Sequence, residues 1–151
     1  MPKAKPAPKP APSLTVTRLI KAPRAKVFKA WTVPRELRKW WGPEGYTCPS
    51  AEVDLRVGGR YRLGFQGEEG APFHVGGVYR EIVRPAKLVF SWRWESSEPD
   101  GEETLVTVHF RDAVGGTEIE IIHEMFETAK SRNSHKQGWT SCFVKLEKHL
   151  A

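Results

Sequence analysis

One stripe near the C-terminus constrains this chain more than any other feature. Gly138-Trp139 opens a run in which Trp139, Cys142, Phe143, Leu146 and Leu150 recur at the spacing of one helix face. Between about Leu14 and Phe126 the pattern is different: short alternating apolar and polar runs, broken by Gly, Pro and Asp. That is the signature of an antiparallel sheet. One long amphipathic helix must therefore cover one sheet.

The runs can be followed in order. Leu14 to Ile20 alternates as a strand, and Ala22-Pro23 then opens a helical segment with Val27, Phe28 and Trp31 on one side. Pro34 restarts the chain as a second short helix carrying Leu37, Trp40 and Trp41, and Gly42-Pro43 stops it. Strands are expected over Tyr46 to Leu55, over Tyr61 to Phe65 after a Gly58-Gly59 turn, and over Phe73 to Val83. Leu88 to Trp94 follows the Arg84-Pro85-Ala86 turn, with Leu88, Phe90, Trp92 and Trp94 on one face and Ser91 and Arg93 on the other. Thr104 to Asp112 and Thr117 to Met125 form a last hairpin across Gly115-Gly116. The expected fold is α+β, with seven antiparallel strands, two short helices after the first strand and one long C-terminal helix. No βαβ repeat occurs, which argues against a parallel sheet.

Composition narrows the function classes. A chain of 151 residues with 39% hydrophobic residues fits one domain with a real core. Met1 to Ser13 holds five of the twelve prolines and three lysines with no acidic or aromatic side chain, and is expected to be a disordered tail; 14–151 is the folded domain. The tail supplies three of the charges in a net +6, leaving 21 basic against 18 acidic residues, a balance that does not suit a dedicated nucleic-acid binder. Acidic residues Glu95, Glu98, Asp100, Glu102 and Glu103 surround a Pro99-Asp100-Gly101 turn and keep a hairpin tip soluble. No apolar run of about 18 residues is present to cross a bilayer. Cys48 and Cys142 share no metal-ligand spacing and suggest neither a zinc site nor a disulfide framework, so a reducing, cytoplasmic setting and no cofactor are expected.

The order of elements, with Gly58-Gly59-Arg60-Tyr61, Gly77-Val78-Tyr79-Arg80-Glu81-Ile82, Phe90-Ser91-Trp92, Gly138-Trp139 and Trp31 with Trp40-Trp41-Gly42, resembles the activator of heat-shock protein 90 ATPase homologue-like family. That family lies in the START-like, or birch-pollen-allergen-like, superfamily, the polyketide cyclase/dehydrase and lipid transport group. The resemblance spans roughly Leu14 to Leu150 and implies a helix-grip fold, a curved sheet wrapped around the terminal helix with a cavity between them. It does not carry chaperone stimulation with it. In eukaryotic chaperone activators the similar domain is the C-terminal half of a longer protein, whose N-terminal domain helps bind the chaperone, and no such domain is expected here. Function must be argued from the site.

Alternation aims Tyr61, Leu63, Phe65, Phe90, Trp92, Trp94, Val106, Val108, Phe110, Ile119, Ile121, His123 and Met125 inward, facing Trp139 and Phe143 on the helix. So many rings around one helix are difficult to pack without a gap, and an apolar pocket is the usual small-molecule site. The expected ligand is an apolar or aromatic small molecule, lipid-like or polyketide-like, held as by a carrier or sensor. Its expected contacts are Trp92, Trp94, Trp139, Phe143, Phe90, Tyr61, Phe65 and His123. A second reading is a cyclase- or hydratase-type enzyme with His123 as base and Tyr79 or Tyr61 as acid. A third is an interaction module that docks on a chaperone, stimulating a heat-shock ATPase, or on another regulator, through the outer sheet face or Trp40-Trp41, with the cavity closed. Glu81 and Arg93 are expected as a cross-strand pair, Gly76-Gly77 as a bulge, His135 as a rim residue, and Gly138 as a point of close helix-to-sheet approach in preference to its alternative, a gap admitting ligand. Ligand identity, oligomeric state (a weak homodimer is admitted) and the role of the Lys-Pro tail stay open.

Overall fold

The computed structural model describes residues 11–95 and 102–151; the Pro99-Asp100-Gly101 turn and the first ten residues of the expected tail lie outside them. Seven strands form one antiparallel sheet: β1 (Leu14–Ile20), β2 (Ala51–Val53), β3 (Arg60–Phe65), β4 (Phe73–Val83), β5 (Lys87–Glu95), β6 (Glu103–Ala113) and β7 (Gly116–Glu124). Their spatial order is β1-β7-β6-β5-β4-β3-β2. Two short helices, α1 (Arg24–Thr32) and α2 (Pro34–Trp40), follow β1, and the long helix α3 (Ala129–Leu150) closes the chain. This is the helix-grip architecture. Strand alternation sets which face is inside: along β6 and β7, Val106, Val108, Phe110, Ile119 and Ile121 are buried, while their neighbours contact solvent. Leu146, Phe143 and Leu150 of α3 meet that face together with Val27 and Phe28 of α1. The outer face is laced by ion pairs.

Several boundaries differ from expectation for physical reasons. The Tyr46–Leu55 segment contributes only Ala51–Val53 as a strand, plus an isolated Thr47–Gln66 bridge; Pro49, which has no N–H to donate, interrupts the ladder. The last strand ends at Glu124. Met125 takes a left-handed φ of 74°, which turns its side chain out (54% exposed) and brings Phe126 in (1% exposed), so Met125 is no part of the inner face. Glu81 does not pair with Arg93. The β4/β5 register sets Gly76 opposite Arg93 and slips between Tyr79 and Glu81, so Glu81 meets Lys87 at 3.1 Å and Arg93 meets Glu103 at 3.3 Å. The irregularity thus lies three residues past Gly76-Gly77. Gly77 is needed for another reason: a Cβ there would fall on the Ser91 carbonyl oxygen. Ser91, expected on the outer face, is buried there, and its hydroxyl accepts from the Val78 N–H at 2.9 Å.

The largest difference is in α3, which begins nine residues before Gly138. Thr128 caps it, accepting from the Ser131 N–H at 3.1 Å, and the Glu102 carboxylate accepts from the Glu127 N–H and the Ser131 hydroxyl. The added turns read Ala-Lys-Ser-Arg-Asn-Ser-His-Lys-Gln, with no large apolar residue, so hydrophobic periodicity carries no signal there. The helix is therefore bulky toward its C-terminal end and small or polar on its inner side toward its N-terminal end.

Candidate functional site

That asymmetry leaves a cavity of about 320 Å³ under the N-terminal half of α3. From α3 it is bordered by Ser134, His135, Gly138, Trp139 and Cys142, and from the sheet by Phe65, Phe73, Trp92 and Trp94. The connection after α2 adds Trp41, Pro43 and Tyr46. Among the described residues, no Asp, Glu, Lys or Arg borders it. Its walls are rings in contact: Trp92 lies 5.1 Å from Trp139, Trp41 lies 5.5 Å from Trp139, and Phe65 stacks on Phe73 at 5.2 Å. Gly138 does not mark close packing. A Cβ built on it meets nothing within 4 Å, and the residue borders the cavity, so its missing side chain leaves open space.

Of the residues expected to contact a ligand, Trp92, Trp94, Trp139 and Phe65 meet at this cavity. Tyr61 and Phe90 do not. With Tyr79 they border a separate void of about 20 Å³ on the other side of Trp41, room for about one water. The Tyr61 hydroxyl donates to the Ser91 carbonyl at 2.6 Å, and burial pushes the pKa of both the Tyr61 and the Tyr79 phenol up, which suits neither to proton transfer. Phe143 is wholly enclosed by the core. Trp40 and Trp41 are 1% and 2% exposed, so they offer no docking surface; Trp41 is instead a cavity wall.

His123 lies behind that wall, fully buried. The Trp139 indole N–H, which can only donate, meets His123 Nδ1 at 3.0 Å, so Nδ1 is the acceptor. Nε2 then carries the proton and donates to Thr104 Oγ1 at 2.6 Å, and the Thr104 hydroxyl donates to the Trp92 carbonyl at 3.2 Å. Burial first, and His135 second, push the His123 pKa down to about 2. The imidazole is thus neutral with both nitrogens engaged, a strut that fixes Trp139 against β5 rather than a free base. His135 repeats the arrangement nearer the opening: the Trp94 N–H donates to its Nε2 at 2.9 Å, and its Nδ1–H donates to the Ser131 carbonyl at 2.8 Å. Cys142 also borders the cavity, with its pKa raised to about 12 by burial, which removes thiolate chemistry. Lys145 Nζ donates to the Tyr46 and Trp41 carbonyls at 2.8 and 3.4 Å, tying α3 to the loop that forms one wall. Among the described residues, three buried indole N–H groups, of Trp31, Trp41 and Trp92, have no acceptor. Among the described residues no group of three or more His, Cys, Asp or Glu is placed to hold a metal ion, and no helix is long and apolar enough to cross a membrane.

The sequence pattern did not reveal Trp41, Pro43, Tyr46, Phe73, Ser134, His135, Gly138 and Cys142 as one lining. The small and polar inner side of α3 was the available signal.

Solved structures share this architecture. The AHSA1 protein of Silicibacter pomeroyi aligns with a TM-score of 0.83 at 24% identity, over 92% of this chain and 97% of its own. The protein CV1439 of Chromobacterium violaceum gives 0.79 at 25%, over 92% and 97%, and an uncharacterized protein from Rhizobium leguminosarum gives 0.78 at 26%, over 92% and 93%. No curated protein matches the chain. The family model described as activator of Hsp90 ATPase homolog 1-like protein matches residues 21–151, everything from the end of β1 onward, and the chain belongs to that family.

Proposed function

We propose that the protein binds an apolar or aromatic small molecule in the cavity between its sheet and α3, as a carrier or sensor. The observation that carries this reading is a ring-lined space of about 320 Å³, within the range of small-molecule pockets, kept open where α3 has no bulk. Family membership is compatible with it and also with stimulation of a heat-shock ATPase, but the tryptophan pair that would have offered a docking surface is buried. An enzyme relying on His123 is disfavoured because that imidazole is held neutral and fully bonded. Two free, buried cysteines fit a cytoplasmic setting.

The test uses Gly138, since Trp139 also anchors His123. Gly138→Leu places a side chain in open space without removing any core contact. Native mass spectrometry of the protein as purified should give an added mass that disappears on denaturation and is absent from the variant. Equal added mass on both proteins would put the ligand elsewhere, and a bare chain in both would refute carriage of a tightly held ligand.

A further inference from the structure

Resting on the cavity-binding reading, we infer that the N-terminal turns of α3, residues 129–137, are the gate by which a ligand reaches the cavity. They lift from the sheet as one piece about Gly138, and the Glu102 carboxylate latches them shut.

The helix is held in two different ways along its length. Beyond Gly138, the side chains of Trp139, Cys142, Phe143, Leu146 and Leu150 are all buried, and burial of an apolar face is what anchors a helix in a folded protein. From Ala129 to Gly138, among the described residues, no side chain is buried. The ties of this part to the rest of the fold are mainly polar. The Glu102 carboxylate, just before β6, accepts from the Glu127 N–H and from the Ser131 hydroxyl, the latter at 2.9 Å. The Trp94 indole N–H, near the end of β5, donates to His135 Nε2 at 2.9 Å, and the Arg132 guanidinium donates to the Ser13 carbonyl at 3.3 Å. The one ring of the segment, His135, rests on Phe126 at 4.9 Å. Polar groups that part can bond to water instead, so lifting these turns costs far less than withdrawing the aromatic half.

The boundary between the two halves is a glycine. Gly138 stands inside a helix, where glycine is unfavourable, and a Cβ there would meet nothing within 4 Å, so close packing does not require it. It leaves the backbone free to bend where the anchoring stops. Ser134 and His135 border the cavity from the segment that lifts, so the motion opens the space directly. The facing wall is fixed instead. Trp41 is buried, Lys145 holds the Trp41 and Tyr46 carbonyls, and the Ser141 hydroxyl accepts from the Glu44 N–H at 2.7 Å, all from the anchored half of α3.

Two measurements on the whole chain test the gate. In hydrogen exchange without ligand, the amides of residues 133–137 should exchange as one block, at least about tenfold faster than those of residues 142–146, and Glu102→Ala should widen that gap by about tenfold more. Equal protection along the helix, or protection that climbs residue by residue from the N-terminus as in ordinary fraying, would overturn the gate. In stopped-flow mixing with the fluorescent apolar probe 1-aminoanthracene, the latch is closed both before and after binding. Glu102→Ala should therefore raise the association and dissociation rates together, by about tenfold, and leave Kd within about twofold. Gly138→Ala, which stiffens the hinge, should slow both rates by about threefold to fivefold. Block exchange with unchanged probe rates in both variants would overturn gating and leave cavity binding intact, whereas failure of the probe to bind the wild-type protein would bring down the cavity reading and the gate with it.

Discussion

Replacing His123 tests the reading that it is a neutral strut. In the folded protein its pKa is pushed from 6.5 to about 2, with burial as the main cause and His135 as the second, whereas in the unfolded chain it protonates near 6.5. The unfolded state therefore binds the extra proton first as pH falls. Above about pH 7.5 the two states bind equally and the group adds no pH dependence; below 6.5 acid favours unfolding, by about 1.4 kcal/mol per unit until the folded pKa is reached. At pH 4.5, two units below the unfolded value, wild type should have lost about 2.7 kcal/mol from this group alone. Carboxylates titrate over the same range, so the useful quantity is a difference. His123→Gln retains one acceptor and one donor for Trp139 and Thr104 but cannot titrate. Urea unfolding of both proteins at pH 7.5, 6, 5 and 4.5 should show any wild-type advantage at neutral pH shrinking toward acid by roughly 2 to 3 kcal/mol in total. Parallel stability curves would refute the argument, because they would mean that His123 takes up its proton equally in both states.

Three other expectations follow from single side chains. Gly138→Ala, in helical conformation with open space around its Cβ, should raise stability by about 0.5 to 1 kcal/mol in a thermal or urea melt. Phe143→Ala empties a fully buried site beside Trp31 and should cost about 3 to 5 kcal/mol in urea unfolding, near the whole margin of a small domain. Neither Cys48 nor Cys142 should react with an aromatic disulfide reagent at pH 8 until denaturant is added, because both are buried and both thiols are raised in pKa by that burial; prompt labelling of one thiol would show the Cys142 wall to be open.

The parts of the fold that could be read from the sequence are those where burial repeats at a fixed period. β5 is the clearest case: Leu88, Phe90 and Trp92 are buried on one face with Trp94 half-buried beside them, as alternation requires. The period gives a face, not a position along it. Phe90 and Trp92 point the same way two residues apart, yet Trp41 comes between the spaces they border, so one faces the small void and the other the cavity. The inward aim of His123 was legible too, but its partners Thr104 and Trp139 stand 19 and 16 residues away, where no local pattern joins them. Met125 failed for a different reason, since one left-handed residue ends the strand and reverses which side chain goes in.

The cavity itself could not be read from apolar positions, because it is produced by their absence. Along α3 the inner side runs from Ser134, His135 and Gly138 to Trp139, Cys142, Phe143, Leu146 and Leu150, so the same helix that fills the sheet at its C-terminal end withdraws from it at the other. A sheet that curves around one helix has a fixed interior, and whatever volume the helix does not occupy must be filled from the connections or left open. Here Trp41, Pro43 and Tyr46 close one side, and Lys145 holds their loop to the helix through the Trp41 and Tyr46 carbonyls. Bulk added at Gly138 alone is thus expected to convert a cavity-bearing member of this architecture into a filled one while the residues that hold the fold together stay unchanged.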